Sequence, residues 1–496
     1  MTTIYRSTRS NHINMTASQA ILQGLSPDGG LFVLRNFPDH HINVADIVNL
    51  NYQEMAQTIF RLFLTDFSHD AIKECVQLAY EDKFTTKDIT PLKQVGDDFV
   101  LELFHGPTNA FKDVALSILP HFMDHSLSIQ NEAKKILILT ATSGDTGKAA
   151  LEGFKDNKAI DIMVFFPNEG VSSIQKLQMQ TQVGNNLRVC GIDGNFDDAQ
   201  TQIKQLFNNS EIIAEFDQVN IQLSSANSVN IGRLIPQIVY YFYAYSQLVN
   251  NQEIQVDESV DFIVPTGNFG NILAGFYAKK LGLPIRHLVC ASNENKVLHD
   301  FLQTGIYDAR RDFLMTTSPS MDILISSNLE RLLFEVSGQD SDLINQWMDK
   351  LATHGYFSVD SDTLKEIQQT FRSGYATDEE VKQTIQSVYK EHDYLLDPHT
   401  AVAYKVMKEQ EEFGYKQIVL ATASPYKFTE SVLDALNLSE DNATDDLFSR
   451  MSLLERETGV PVPDNLAELL ELPILFNDCI STEEMSHYVL THGKGD

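Results

Sequence analysis

Three short segments of this chain set reactive or hydrogen-bonding side chains beside turns suited to holding an anion. In the first, residues 262–264 read as a strand and run into Pro265, Thr266, Gly267, Asn268, Phe269, Gly270 and Asn271, after which residues 272–278 have helical character. A strand, a glycine turn and a helix N-terminus in that order present unpaired N–H groups and the positive end of a helix dipole. Gly267 and Gly270 would let the backbone approach a phosphate closely, and they would serve an ordinary tight strand-to-helix turn equally well. The second junction has the same form: residues 135–140 lead through Ala141, Thr142, Ser143, Gly144, Asp145, Thr146 and Gly147 into a helix expected from near Lys148. It is not a Walker A loop, because Thr142 stands at the leading glycine position and Ala149 follows Lys148. Nor do Gly267 and Gly270 complete a dinucleotide fingerprint.

The third segment is His105, Gly106, Pro107, Thr108, Asn109, Ala110, Phe111, Lys112 and Asp113. Asn109 is a good helix cap, so a helix is expected to begin there and to carry Lys112 in its first turn. The helix dipole disfavours a cation at that point and should lower the pKa of the amine, and a nucleophilic lysine must be neutral to react. For an isolated lysine the competing reading is a solvated side chain paired with Asp113. The histidines form no H-E-x-x-H pattern and no usable metal cluster, so no metal is expected.

Short aliphatic runs alternate with helical patterns through the middle of the chain, which is the mark of parallel α/β layers. Strands are expected at 99–104, 136–140, 162–166, 187–190, 220–224, 262–264, 287–290 and 417–421. Residues 1–95 carry mixed short elements and read as a separate N-terminal unit. Residues 325–392 read as a helical insertion, with helical periodicity at 328–336 and 361–371.

The 496 residues suffice for several domains, and 43% hydrophobic with 21% charged residues is an ordinary globular balance. A formal net charge of −31 argues against nucleic-acid binding and requires any anionic substrate to meet basic residues gathered in a cleft. Cys75, Cys190, Cys290 and Cys479 form no C-x-x-C pair, and neither an apolar leader nor a run of about 18 apolar residues is present. A cytoplasmic chain with free thiols and no membrane partner is expected.

Taken together, the loops resemble those of the threonine synthase family of fold-type II pyridoxal 5′-phosphate (PLP) enzymes. The resemblance covers nearly the whole chain: residues 5–9 and 23–32 are similar to the family's N-terminal strings, 105–113 to the motif bearing its Schiff-base lysine, and 318–323, 326–331 and 397–402 to further family strings. It implies two parallel-sheet α/β domains, a large one (96–130, 215–324 and 393–496) and a small one (131–214), beside the N-terminal domain (1–95) and the helical insertion (325–392). It also implies that Lys112 is the PLP-bearing catalytic amine and that Gly267, Asn268, Phe269, Gly270 and Asn271 cradle the cofactor phosphate. Thr422 would contact the pyridine nitrogen and Asp145 would lie beside the ring. Thr142, Ser143, Gly144 and Thr146 would hold the substrate carboxylate, and Asn227, Ser228 and Arg233 the substrate phosphate.

The implied reaction converts O-phospho-L-homoserine and water to L-threonine and phosphate, in a monomer or homodimer. A related PLP lyase acting on another O-phospho amine, or on serine or threonine, is the alternative. Two positions depart from the family pattern. Lys148 replaces a small residue and is expected to point outward from its helix, and Ser424 replaces a common histidine next to the implied ring contact.

Overall fold

A computed structural model describes residues 4–38, 41–410, 414–438 and 446–494. Two parallel sheets organise it. The larger has six strands in the order Phe371–Tyr375, Ile285–Ser292, Val260–Pro265, Lys416–Ala421, Asp98–Glu102 and Leu92–Val95, parallel throughout except for the last pair. The smaller has five parallel strands in the order Cys479–Ser481, Leu187–Asp193, Ile160–Pro167, Lys135–Ala141 and Ile221–Ser224. Central strands such as Val260–Pro265 are buried along their whole length, as strands covered by helices on both faces must be.

All eight expected strands are present, and the two-sheet α/β class holds. The four edge strands do not follow the expected segmentation: Leu92–Val95 falls in the N-terminal unit yet pairs with Asp98–Glu102 of the larger sheet, and Ile221–Ser224 falls in the large-domain segment yet pairs with Lys135–Ala141 of the smaller one. Phe371–Tyr375 lies inside the segment read as helical and pairs with Ile285–Ser292 of the larger sheet, so the periodicity assigned to 361–371 ends at Thr370. Cys479–Ser481 belongs to a segment grouped with the larger sheet, yet it pairs with Leu187–Asp193 of the smaller one. Strands this short carry too few residues for an alternation to stand out. Elsewhere 325–392 is mainly helical, including Leu329–Val336 and Ser361–Thr370, but it holds a further short strand, Tyr356–Ser358, paired antiparallel with Ile306–Asp308. Near the N-terminus, Tyr5–Ser7 pairs antiparallel with both Asn14–Met15 and Phe32–Leu34.

Helix Ile231–Asn250 is buried on nearly every side and packs against helices Tyr52–Phe63 and Gly270–Lys280. Its aromatic run, Tyr240 to Tyr245, explains why no polar face is needed: this helix is core, and its few polar side chains point at specific partners. Among the described residues no helix is long and apolar enough to cross a membrane.

Helix Lys112–Leu116 crosses helix Asp145–Phe154 at Gly153, where a Cβ would lie 2.2 Å from the carbonyl oxygen of Leu116. A backbone atom cannot turn aside as a side chain can, so the two helices must separate to admit a methyl group. Gly153→Ala is expected to lower stability by about 1–3 kcal/mol, measured by urea unfolding, through this overpacking.

Candidate functional site

Five of the segments that line one cavity follow the C-terminal end of a parallel strand, where open α/β sheets place ligands. The cavity is lined by Lys112, Ser143, Asp145, Thr146, Asn227, Ser228, Arg233, Gly267, Asn268, Phe269, Gly270, Asn271 and Thr422. Thus most of the residues singled out from sequence meet at one place. Thr142 and Gly144 do not line it. The Thr142 hydroxyl is engaged by the N–H groups of Gly144 (2.9 Å) and Gly147 (2.8 Å), which it accepts to shape the turn. Gly144 has φ 126°, and a Cβ there would sit 2.4 Å from the Gln175 amide.

The helix bearing Lys112 starts at Lys112 itself and not at Asn109. Asn109 instead adopts a left-handed conformation with φ 59° and accepts the Ser424 N–H on its carbonyl. Asparagine tolerates that region, so here it bends the chain and does not cap. Lys112 is not paired with Asp113 either. The Asp113 carboxylate accepts from the Thr108 N–H (2.8 Å) and hydroxyl (2.6 Å), whereas the Lys112 amine lies 3.6 Å from Asp145. Burial lowers the Lys112 pKa to about 8, with Arg233 and Lys427 pushing the same way against the pull of Asp145. The helix dipole expected to do this belongs to a helix of only five residues, and loss of water is the larger cause. Burial raises Asp113 to about 6 despite its bonds from Thr108.

The glycine turn is built differently from the expectation that its glycines supply the bend. Phe269 holds the left-handed position, with φ 61°, immediately before helix Gly270–Lys280. Gly267 answers a different need: a Cβ there would meet the Ser320 carbonyl oxygen at 2.7 Å. The first N–H groups of the helix have no acceptor within it. Asn271 adds a side-chain donor. Its Oδ1 accepts from the hydroxyls of Tyr240 (2.6 Å) and Tyr241 (3.0 Å), which leaves its buried Nδ2 without a protein partner.

Arg233 enters from the first turn of helix Ile231–Asn250. One guanidinium nitrogen donates to the Ala226 carbonyl at 2.8 Å, and the buried Nε has no protein partner. Burial lowers its pKa to about 10, and it forms no ion pair among the described residues, so the salt bridge common for arginine in an acidic protein is not its role.

Several residues that support the cavity were missed as site residues although they lie in strings already noted. Asn328 donates to the Ser228 hydroxyl (3.1 Å) and the Asn268 carbonyl (2.9 Å). Arg331, fully buried, bonds Asn328 and donates to the carbonyls of Val229 (2.6 Å) and Phe32 (3.0 Å). His399 also lines the cavity, with Nδ1 on Asp397 at 2.9 Å and Nε2 accepting the Ser320 N–H at 3.1 Å. Lys427 gave no signal in the sequence. It is completely buried, 2.7 Å from Asp145. Asp145 shows the result: burial would raise its carboxyl, but Lys427 and Lys112 hold it well below the usual range.

Lys148 lies outside the cavity and is half-buried. Its amine bonds Gln182, and burial lowers its pKa to about 8. Ser424 accepts from the Tyr426 N–H and starts the turn Pro425–Phe428. His105 stacks on Phe104 and bonds Glu102, away from the cavity, as a loop-packing residue.

Three family models match the chain: threonine synthase N terminus over residues 4–80, pyridoxal-phosphate dependent enzyme over 90–424, and threonine synthase C-terminal over 400–480. Human threonine synthase-like 1 is 39% identical across 90% of this chain, which spans 61% of that protein's length. Threonine synthase of Saccharomyces cerevisiae is 36% identical, with 88% of this chain and 89% of that one covered. The PLP-bound threonine synthase structure from Brucella melitensis superposes with a TM-score of 0.86 at 36% identity, covering 99% of this chain and 100% of that one. By its sequence and by the architecture of its two sheets, the chain belongs to the threonine synthase family of PLP-dependent enzymes.

Proposed function

We propose that the chain is a threonine synthase, converting O-phospho-L-homoserine and water to L-threonine and phosphate. The observation that carries this reading is the convergence, in one cavity, of a pKa-lowered amine, a helix N-terminal turn and a buried arginine without an ion pair. The residues fit PLP. The turn from Gly267 to Asn271, with the unpartnered Asn271 Nδ2, suits the cofactor phosphate. The Thr422 hydroxyl suits a neutral pyridine nitrogen, its backbone being held by its N–H to Thr400 at 3.3 Å. Asp145 takes the ring side next to Lys112.

Bound PLP supplies an electron sink for the carbons of the substrate. Lys112 would hold the cofactor, and its amine, placed beside the substrate carbons, would move protons at Cα, Cβ and Cγ. Ser143 and Thr146 face the cavity and take the substrate carboxylate, with Thr142 and Gly144 shaping the turn behind them. Arg233, Ser228 and Asn227 orient the leaving phosphate so that its bond aligns for elimination. Asn328 fixes Ser228, and the Asn227 amide donates to the Ala141 carbonyl at 2.9 Å, so both enter the reaction pre-oriented.

We also assign the chain to the cytoplasm. The support is its four cysteines, all free and none spaced as a C-x-x-C pair, as is usual in a reducing compartment.

Purified protein with PLP and O-phospho-L-homoserine is expected to release phosphate and threonine in equal amounts, assayed together. Phosphate without threonine, or ammonia released from serine or threonine, would instead identify another lyase. Arg233→Met should lower kcat/KM by about 100-fold or more, the scale of losing one oriented charge contact, while the cofactor absorbance stays unchanged. Cofactor-free protein mixed with PLP and trapped with borohydride should label Lys112 at a rate that rises with pH around a midpoint of about 8, because only the neutral amine reacts. A midpoint near that of an ordinary surface lysine would contradict the buried setting of this amine.

A further inference from the structure

Lys427 is a fully buried lysine that takes no part in the steps above and does not line the cavity. Burying an ammonium is costly unless it is paired and hydrogen-bonded, and here both needs are met by groups of the site itself. Its amine lies 2.7 Å from Asp145 Oδ1 and donates to the Thr108 carbonyl at 2.9 Å. Thr108 belongs to the loop that precedes Lys112, and its N–H and hydroxyl hold Asp113.

The contact is part of a closed circuit. Gln175 Nε2 donates to the same Asp145 oxygen at 2.7 Å, Gln175 Oε1 accepts the Ser172 N–H at 3.0 Å, and the Ser172 hydroxyl donates to the backbone carbonyl of Lys427 at 2.8 Å. Lys427 therefore follows a strand of the larger sheet but is tied to helix Asp145–Phe154, which packs on the smaller one, and to Ser172, the cap of helix Ser173–Gln180. The circuit uses Oδ1 of Asp145 and leaves Oδ2 facing the Lys112 amine at 3.6 Å, longer than a hydrogen bond.

We propose that Lys427 is a positioning residue for the reactive amine: by engaging one oxygen of Asp145 it limits that carboxylate's hold on Lys112, and by its own charge it favours the neutral form of Lys112. The inference rests on Lys112 being the cofactor-bearing amine. The charged groups around the pair are few. Asp145, Arg233 and Lys427 act on Lys112, while Asp113 and Lys148 also lie within the field of Lys427. A cross-link that served only to join the two sheets would need no particular charge at 427 beyond that which pairs with Asp145. In the proposed role the charge at 427 sets how readily Lys112 releases its proton.

Borohydride-trapped capture of PLP at Lys112, followed against pH in the full chain, reads this directly. Lys427→Met is expected to move the midpoint upward by about one pH unit, slowing capture near neutral pH about tenfold, because Asp145 then serves Lys112 alone and a repelling cation is gone. Lys427→Arg keeps the charge and should keep the midpoint near that of the unaltered chain. Removing one partner of a buried pair endangers the fold, so a second comparison stands beside the first. Asp145→Asn alone and Asp145→Asn with Lys427→Met differ only in the charge at 427, and the double variant should show the higher midpoint. Equal midpoints in either comparison overturn the proposal. Absence of capture at Lys112 in the unaltered chain would instead refute the proposed function itself.

Discussion

Positive charge buried beyond what the protein neutralises is the constraint around which this site is arranged. Lys112, Arg233 and Lys427 are all withdrawn from water, and Asp145 is the carboxylate that pairs with two of them. Such an excess is unfavourable in a low-dielectric interior and is relieved when an anion enters. In a chain of net charge −31 the excess is also a local inversion of sign, so a phosphate-bearing molecule repelled by the surface is attracted at this one cleft.

The neutral polar groups that line the cleft beside these cations are held by side chains that do not line it. The hydroxyls of Tyr240 and Tyr241 fix the Asn271 amide, Asn328 spans the Ser228 and Asn268 segments, and Arg331 ties Asn328 to the backbone at Val229 and Phe32. Each of these is a buried polar side chain with its partners supplied, which is what allows polar chemistry inside an apolar core. The N-terminal sheet enters the same frame. Arg9 pairs with Glu330 at 2.8 Å and Thr8 donates to Glu330 at 2.6 Å, so residues near the start of the chain brace the helix that carries Arg331.

Much of this was legible in the sequence, because the strands before each loop are continuous apolar runs and the loops are dense in Gly, Ser, Thr and Asn. What escaped reading has physical reasons. Asn109 has the same identity whether it caps a helix or takes a left-handed bend, and only tertiary contacts decide. The place of Lys112 in the sequence points to a helix dipole as the cause of its lowered pKa, whereas burial, which no local pattern reports, is the larger cause. Thr142 has the same hydroxyl as its neighbour Ser143 in the sequence, yet that hydroxyl closes the turn on itself. Lys427 sits far along the chain from Lys112 in an unremarkable string, and its partners exist only once both sheets are formed.

The placement of Cys479–Ser481 at the edge of the five-stranded sheet bears on how the chain assembles. That sheet's other strands lie between Lys135 and Ser224, so its last strand arrives only after the whole larger sheet has been synthesised. During translation the edge at Leu187–Asp193 stays open, and closing it requires one of the longest sequence separations in the molecule. The nascent chain must therefore keep an exposed strand edge from pairing elsewhere until residues 479–481 emerge.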